Sequence, residues 1–196
     1  MSDEHKMKFF TETVMQKRIL IVTNDSEVFL NPNRIDTAFN MFGGRATEVK
    51  RLVARLDTAT DDKGKKLCDV SFGVITTQYG FVPGNYQIVS YQNVMSDRAG
   101  YEDCEKRKQF VEQVSYLCKP FDKVIICVPK DMFSMFIEGD MIDDGKLIAV
   151  TNPCFKEECE KRNWTYLERK GARVGNDNAD RIEELIRQLC SKDKVA

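Results

Sequence analysis

A chain of 196 residues with 42% hydrophobic content carries enough apolar material for one domain with a sizeable core, and no Pro/Ser/Gly-rich linker divides it. The 30 basic and 31 acidic side chains nearly cancel, which excludes the electrostatic footprint of broad duplex nucleic-acid binding and leaves room only for a local basic patch. No apolar run is long enough to cross a bilayer, and residues 1–17 are charged and mixed rather than basic and then apolar, so the expected address is cytoplasmic, without membrane association.

Residues 1–17 are expected to form a flexible tail and residues 18–196 a single α/β domain. Residues 18–23, Arg-Ile-Leu-Ile-Val-Thr, are a continuous β-rich run and predict a strand covered on both faces. The run ends in Asn24-Asp25-Ser26, residue types that favour turns and helix caps. A short helix is expected over 35–42. Gly43-Gly44 then leads into a helix over 45–56, marked by Val49, Leu52, Val53 and Leu56 at i, i+3, i+4 and i+7. Residues 58–66 are polar and predict a mobile loop.

The second strand spans 70–77 and runs into a tightly shaped Gly/Pro loop over 78–85. Residues 86–91 read as a short extended piece. Residues 102–118 predict one helix with Phe110, Val111, Val114, Leu117 and Cys118 as its apolar stripe, stopped by Pro120. A third strand over 123–128 closes at Pro129. A short helix after Asp131 holds Met132, Met135 and Phe136. Residues 146–151 form a weaker fourth strand ended by Asn152-Pro153. A charged helix over 155–163 follows, 164–168 is ambiguous, and a helix over 179–190 ends the pattern. Strands alternating with amphipathic helices predict a three-layer sandwich: a mostly parallel central sheet with helices on both faces.

Several chemistries lack their residues. The single histidine, His5, lies in the expected tail, so a Ser-His-Asp or Cys-His arrangement has no base within the domain. Seven cysteines, an odd number spread through the chain, argue against a disulfide framework and for a reducing compartment. Cys154 and Cys159 have four residues between them, a weak metal half-site beside the ordinary role of buried thiols. No phosphate loop and no Gly-x-Gly-x-x-Gly turn is present. No metal and no cofactor is expected.

In open α/β sheets ligands bind beyond the carboxyl ends of the strands. Those ends carry three polar clusters: residues 23–26, residues 76–80 and residues 151–154. Asp25, the only acid in the first two, is the natural catalytic base or water-positioning carboxylate. Asn24, Thr77, Gln78 and Asn152 can read amide or base edges, Tyr79 can stack on a planar ring, and Ser26 is a further ligand-binding candidate in the first cluster. The competing reading is simple capping by Asn24-Asp25-Ser26 and a turn packed by Tyr79. Arg173, in the Gly-rich segment before the last helix, can add charge-assisted contacts to a phosphate or carboxylate, although Asp177 and Asp180 place negative charge nearby.

The order of segments carries a resemblance. A strand ends in a polar turn, Phe42-Gly43-Gly44 opens a helix, and residues 74–83, Val-Ile-Thr-Thr-Gln-Tyr-Gly-Phe-Val-Pro, precede residues 122–128, Asp-Lys-Val-Ile-Ile-Cys-Val. Over residues 18–135 this resembles a family of small domains from phage, bacteria and archaea. That family is similar to the uracil-DNA-glycosylase-like domain beside transglycosylase modules in archaeosine biosynthesis. Its members carry Ser-Cys or Pro-Cys and then basic residues after the first strand, followed by a strand entering a Tyr-Gly-Leu-like turn. Here Asn24-Asp25-Ser26-Glu27 stands at the first of these places, which separates this chain from any anion contact shared by that family.

The clusters and the resemblance together imply recognition of a nucleotide, a nucleobase or modified nucleic acid, with catalysis left open. Two other functions compete. An interaction or assembly domain would use Met132, Phe133, Met135 and Phe136 as an interface, unless these are core. A redox sensor would use Cys154, which is followed closely by Lys156.

Overall fold

The computed structural model describes residues 16–192. In chain order these form β1 (Arg18–Asn24), β2 (Asp36–Thr37), α1 (Ala38–Met41), α2 (Ala46–Thr58), β3 (Asp69–Thr76), β4 (Gly80–Pro83) and β5 (Gln87–Ile88). Next come α3 (Arg98–Lys108), α4 (Phe110–Cys118), β6 (Lys123–Cys127), α5 (Lys130–Gly139) and β7 (Leu147–Thr151). A 3-10 turn (Pro153–Phe155), α6 (Lys156–Lys161), β8 (Thr165–Glu168) and α7 (Asn176–Lys192) follow.

Six strands form one sheet in the order β4-β3-β1-β6-β7-β8. β4 is antiparallel to β3, and every other pairing is parallel. β2 and β5 make a separate antiparallel pair. Counted in chain order, the parallel strands stand 2-1-3-4-5, one of the common doubly wound arrangements. The chain steps outward from β1 to β3 and then crosses back to β6. The winding therefore reverses between β1 and β6, and a crevice opens where loops leave those two strands in opposite directions.

The continuous apolar strands are explained by burial on two faces. Ile19 and Ile21 of β1, Val74 of β3, Ile125 of β6 and Ile148 of β7 face a core shared with α1, α2 and α7. Leu20, Val22, Ile75, Ile126 and Ala149 face the other core, built with α3 to α6. The expected three-layer α/β sandwich is what forms. No helix among the described residues is long and apolar enough to cross a membrane.

Four local readings change. The helix expected over 102–118 is two helices. Gln109 adopts the left-handed conformation (φ 54°, ψ 43°), and Glu105 accepts a hydrogen bond from the Val111 backbone N–H at 2.9 Å, serving the start of α4. The loop over 78–85 contains β4, whose Phe81 lies so close to Gly73 that a Cβ there would fall 2.2 Å from the ring. Residues 58–66 are a closed turn: Thr60 bridges Lys66, and the Asp61 carboxylate accepts from the backbone N–H groups of Lys63 and Lys65. Residues 16 and 17, expected in the tail, bond to the domain: Gln16 donates to the Lys66 carbonyl, and the Lys17 carbonyl accepts from the Asp69 backbone N–H. The remainder of the expected tail, with His5, lies outside the described residues.

Candidate functional site

β1 places Asn24 and Asp25 at the reversal point. The Asp25 backbone N–H donates to the Ile75 carbonyl at 2.9 Å, which carries the β1–β3 pairing one residue past the strand. This turns the Asp25 side chain inward, and the residue is only 1% exposed. It is not a helix cap. Its Oδ2 accepts from the Thr77 N–H at 2.7 Å, the Thr77 hydroxyl at 2.8 Å and the Tyr91 hydroxyl at 2.7 Å. Burial pushes the Asp25 carboxyl above its ordinary range, opposed by the bonds from Tyr91 and Thr77 and by the charge of Arg173. Burial and the neighbouring Asp25 charge push the Tyr91 phenol up, so it stays a donor.

Arg173 reaches the same point from the segment between β8 and α7. The residue is 4% exposed. Its Nη1 donates to Thr23 Oγ1 at 2.9 Å and the Asn24 carbonyl at 2.7 Å, and Nη2 donates to the Asp25 carbonyl at 3.0 Å. The Arg173 and Val174 backbone N–H groups donate to one carboxylate oxygen of Glu48 in α2, at 2.7 and 3.3 Å. Arg169 donates to the Val128 carbonyl beyond β6 at 2.9 Å. Burial, then the charge of Arg169, brings the Arg173 guanidinium down to about 10, and it remains a cation at neutral pH.

Four buried side-chain atoms among the described residues lack a hydrogen-bond partner: Asn24 Oδ1, Asp25 Oδ1, Thr151 Oγ1 and Arg173 Nε. All belong to strand ends or loops at the carboxyl edge of the sheet. An unpaired buried polar group costs about 1–3 kcal/mol, so such clustering is unusual for a surface with no function. Three of the four residues, Asn24, Asp25 and Arg173, line one cavity of about 450 Å³. Ser26, Glu27, Gly44 and Arg45 complete its rim, and Val94, Met95, Tyr101 and Pro129 give it apolar walls.

The residues expected from sequence divide accordingly. Asn24, Asp25, Ser26 and Arg173 line the cavity, and Thr77 holds Asp25 from behind. Gln78, Tyr79 and Asn152 are not among its lining residues. Gln78 is an exposed turn residue. Tyr79 packs against Tyr86 and Tyr91, with ring centroids 6.2 and 5.9 Å apart. The Asn152 side chain accepts from the Cys154 N–H at 3.0 Å and caps the 3-10 turn. Sharing a sheet edge does not bring three loops to one point, because β7 stands two strands away from β1. Sequence reasoning missed Tyr91, Arg45, Glu48, Arg169 and Met95. Only the Gly43-Gly44-Arg45 helix entry gave a local signal for any of them.

One further expectation loses its footing. Met132, Phe133, Met135 and Phe136 are buried in the core beneath the sheet, so they offer no interface. Cys154 is exposed whereas Cys159 is fully buried, its thiol pushed up to about 11 by burial. No group of three or more His, Cys, Asp or Glu side chains among the described residues is placed to hold a metal ion. No family model, no curated protein and no solved structure matches this chain.

Proposed function

We propose that this domain binds a nucleotide or nucleobase in the cavity between the ends of β1 and β6. The coincidence of three unpaired buried groups with a cavity at the winding reversal carries the reading. Asn24 Oδ1 and Asp25 Oδ1 are acceptors in want of N–H groups, and Arg173 Nε is a donor in want of an oxygen or ring nitrogen. A nucleobase presents donors and acceptors side by side on one planar edge. Met95 and Tyr101 supply apolar surface for the faces of its ring. The volume lies within the range of small-molecule sites. The resemblance over residues 18–135 points to a base ligand as well.

In this reading Asp25 is the group that accepts a proton or hydrogen bond from the base, and its upward-shifted carboxyl suits it to that role. Thr77 and Tyr91 fix its orientation from behind.

Thermal-shift measurements on the full chain with the free bases, their nucleosides and their 5′-monophosphates test the proposal. A ligand present at about 100 times its dissociation constant stabilises the fold by about 2.7 kcal/mol, a readily measured rise in Tm. Asn24→Ala is expected to abolish the rise while circular dichroism stays native. No stabilisation by any of these compounds at millimolar concentration, in a verified folded sample, overturns the reading.

A further inference from the structure

We infer that the rim of the same cavity, formed by Arg45 and the start of α2, takes a phosphoryl group, so that the ligand is a nucleoside phosphate rather than a free base or nucleoside. This rests on the reading above and adds to it the charge of the ligand.

Arg45 stands at the N-cap of α2, a helix of 13 residues. The aligned peptide dipoles leave partial positive charge at that end, so a cation there is disfavoured and an anion favoured. Arg45 is exposed, and among the described residues it has no hydrogen bond and no ion pair to offset the placement. The first-turn acid that would ordinarily complement the helix, Glu48, is turned away: one of its carboxylate oxygens serves the backbone N–H groups of Arg173 and Val174.

The second observation is independent of the helix. Arg173, 4% exposed, lines the same cavity and keeps Nε–H without a partner. The three guanidiniums also repel one another: burial first and then the charge of Arg45 lowers Arg169, and burial first, then Arg169 and, more weakly, Arg45 lower Arg173 against the pull of Asp25. A phosphoryl group on the rim relieves that repulsion, meets the helix start, and completes charge-assisted bonds to a rigid guanidinium fork. Gly44 keeps the approach open. It holds φ +54°, and a Cβ there would come within 3.0 Å of the Ser26 hydroxyl. The carboxylates that face the cavity are Asp25 in the floor and Glu27 on the rim. They oppose a bare anion and suit a ligand whose base brings N–H donors along with its phosphate.

Isothermal titration of the full chain with each nucleoside, its 5′-monophosphate and inorganic phosphate separates the two readings. At least one 5′-monophosphate is expected to bind about 10-fold or more tightly than its nucleoside, with the advantage shrinking as salt is raised. Arg45→Ala removes an exposed side chain without hydrogen bonds, so the fold should persist. It is expected to bring the monophosphate down to the affinity of the nucleoside and to leave the nucleoside unchanged, with Arg45→Lys intermediate. Equal binding of nucleoside and monophosphate, or a phosphate advantage that survives Arg45→Ala, overturns this inference and leaves the base-binding reading standing. Failure of every nucleoside, monophosphate and inorganic phosphate to bind overturns both.

Discussion

The two ends of the sheet are built to different standards of completeness. At the amino end, Asp122 ahead of β6 accepts from the Arg18 backbone N–H at 2.8 Å and from Lys17 Nζ at 3.4 Å. The Trp164 indole donates to the Asp143 carbonyl at 3.0 Å, and Lys66 pairs with Asp57 at 2.7 Å. Polar groups there are paired or partly solvated. At the carboxyl end, four buried side-chain atoms are left unpaired although donors and acceptors crowd the same few loops. Packing alone selects against such groups, so the difference marks the carboxyl end as the one shaped by something besides folding.

Substitution at the two ends should expose the difference most clearly through stability. Asp25→Ala strands the Thr77 N–H and the Thr77 and Tyr91 hydroxyls in a dry environment and is expected to destabilise by about 3 kcal/mol. Asp122→Ala, at a carboxylate that stays a third exposed (33%), is expected to cost about 1 kcal/mol or less. Urea denaturation at neutral pH measures both. Costs that agree within experimental error would break the contrast between the ends.

A second test uses pH. Because the Asp25 carboxyl is held above 3.8 in the folded chain, the folded state binds more protons than the unfolded one in the window just above that value. Stability from this group therefore falls as pH rises through the window, and the penalty is absent below it, where both states carry the proton. Asp25→Asn removes the ionisation and keeps an oxygen for Thr77 and Tyr91. Stability of the native chain relative to this variant should decline as pH rises above 3.8. A flat difference across that range would sink the assignment.

The smallest effect belongs to Thr151. Its hydroxyl is buried and unpaired, and the residue does not line the cavity. Thr151→Val replaces the hydroxyl with a methyl of similar shape and is expected to stabilise by about 1 kcal/mol, seen as a raised Tm, with ligand affinity unchanged. A loss of affinity would extend the site to β7.

The architecture was legible because residues 18–23 and 123–128 hold continuous β-rich apolar runs and residues 70–77 carry Phe72, Val74 and Ile75, a pattern that fits strands covered on both faces. β4 and β8 were not. Both are short edge strands, and β4 sits among Gly and Pro that read equally well as a loop. The break at Gln109 was hidden because no Gly or Pro announces the left-handed turn. Of the residues that line the cavity, Asp25 was legible as an acid at a strand end and Arg173 as a cation in the Gly-rich segment before the last helix. Tyr91 was not: its contact with Asp25 spans 66 positions and is made by the loop after β5, a region with no periodic signal. Gln78, Tyr79 and Asn152 do not line the cavity, because a strand-end position gives an edge of the sheet but not a place along it.

The bonds from Arg173 to Thr23, Asn24 and Asp25 join residues 148 to 150 positions apart. During synthesis, β1, β3, β6 and β7 have all emerged by residue 151, before Arg173 exists. Until it docks, the carbonyls of Asn24 and Asp25 lack their cation and one side of the cavity is missing. Contacts of such separation form late, because the entropy of closing a long loop comes before their reward. Ligand capture is thus a property of the finished chain, and a growing or clipped polypeptide that stops short of Arg173 is expected to be blind to the ligand even where its sheet has formed.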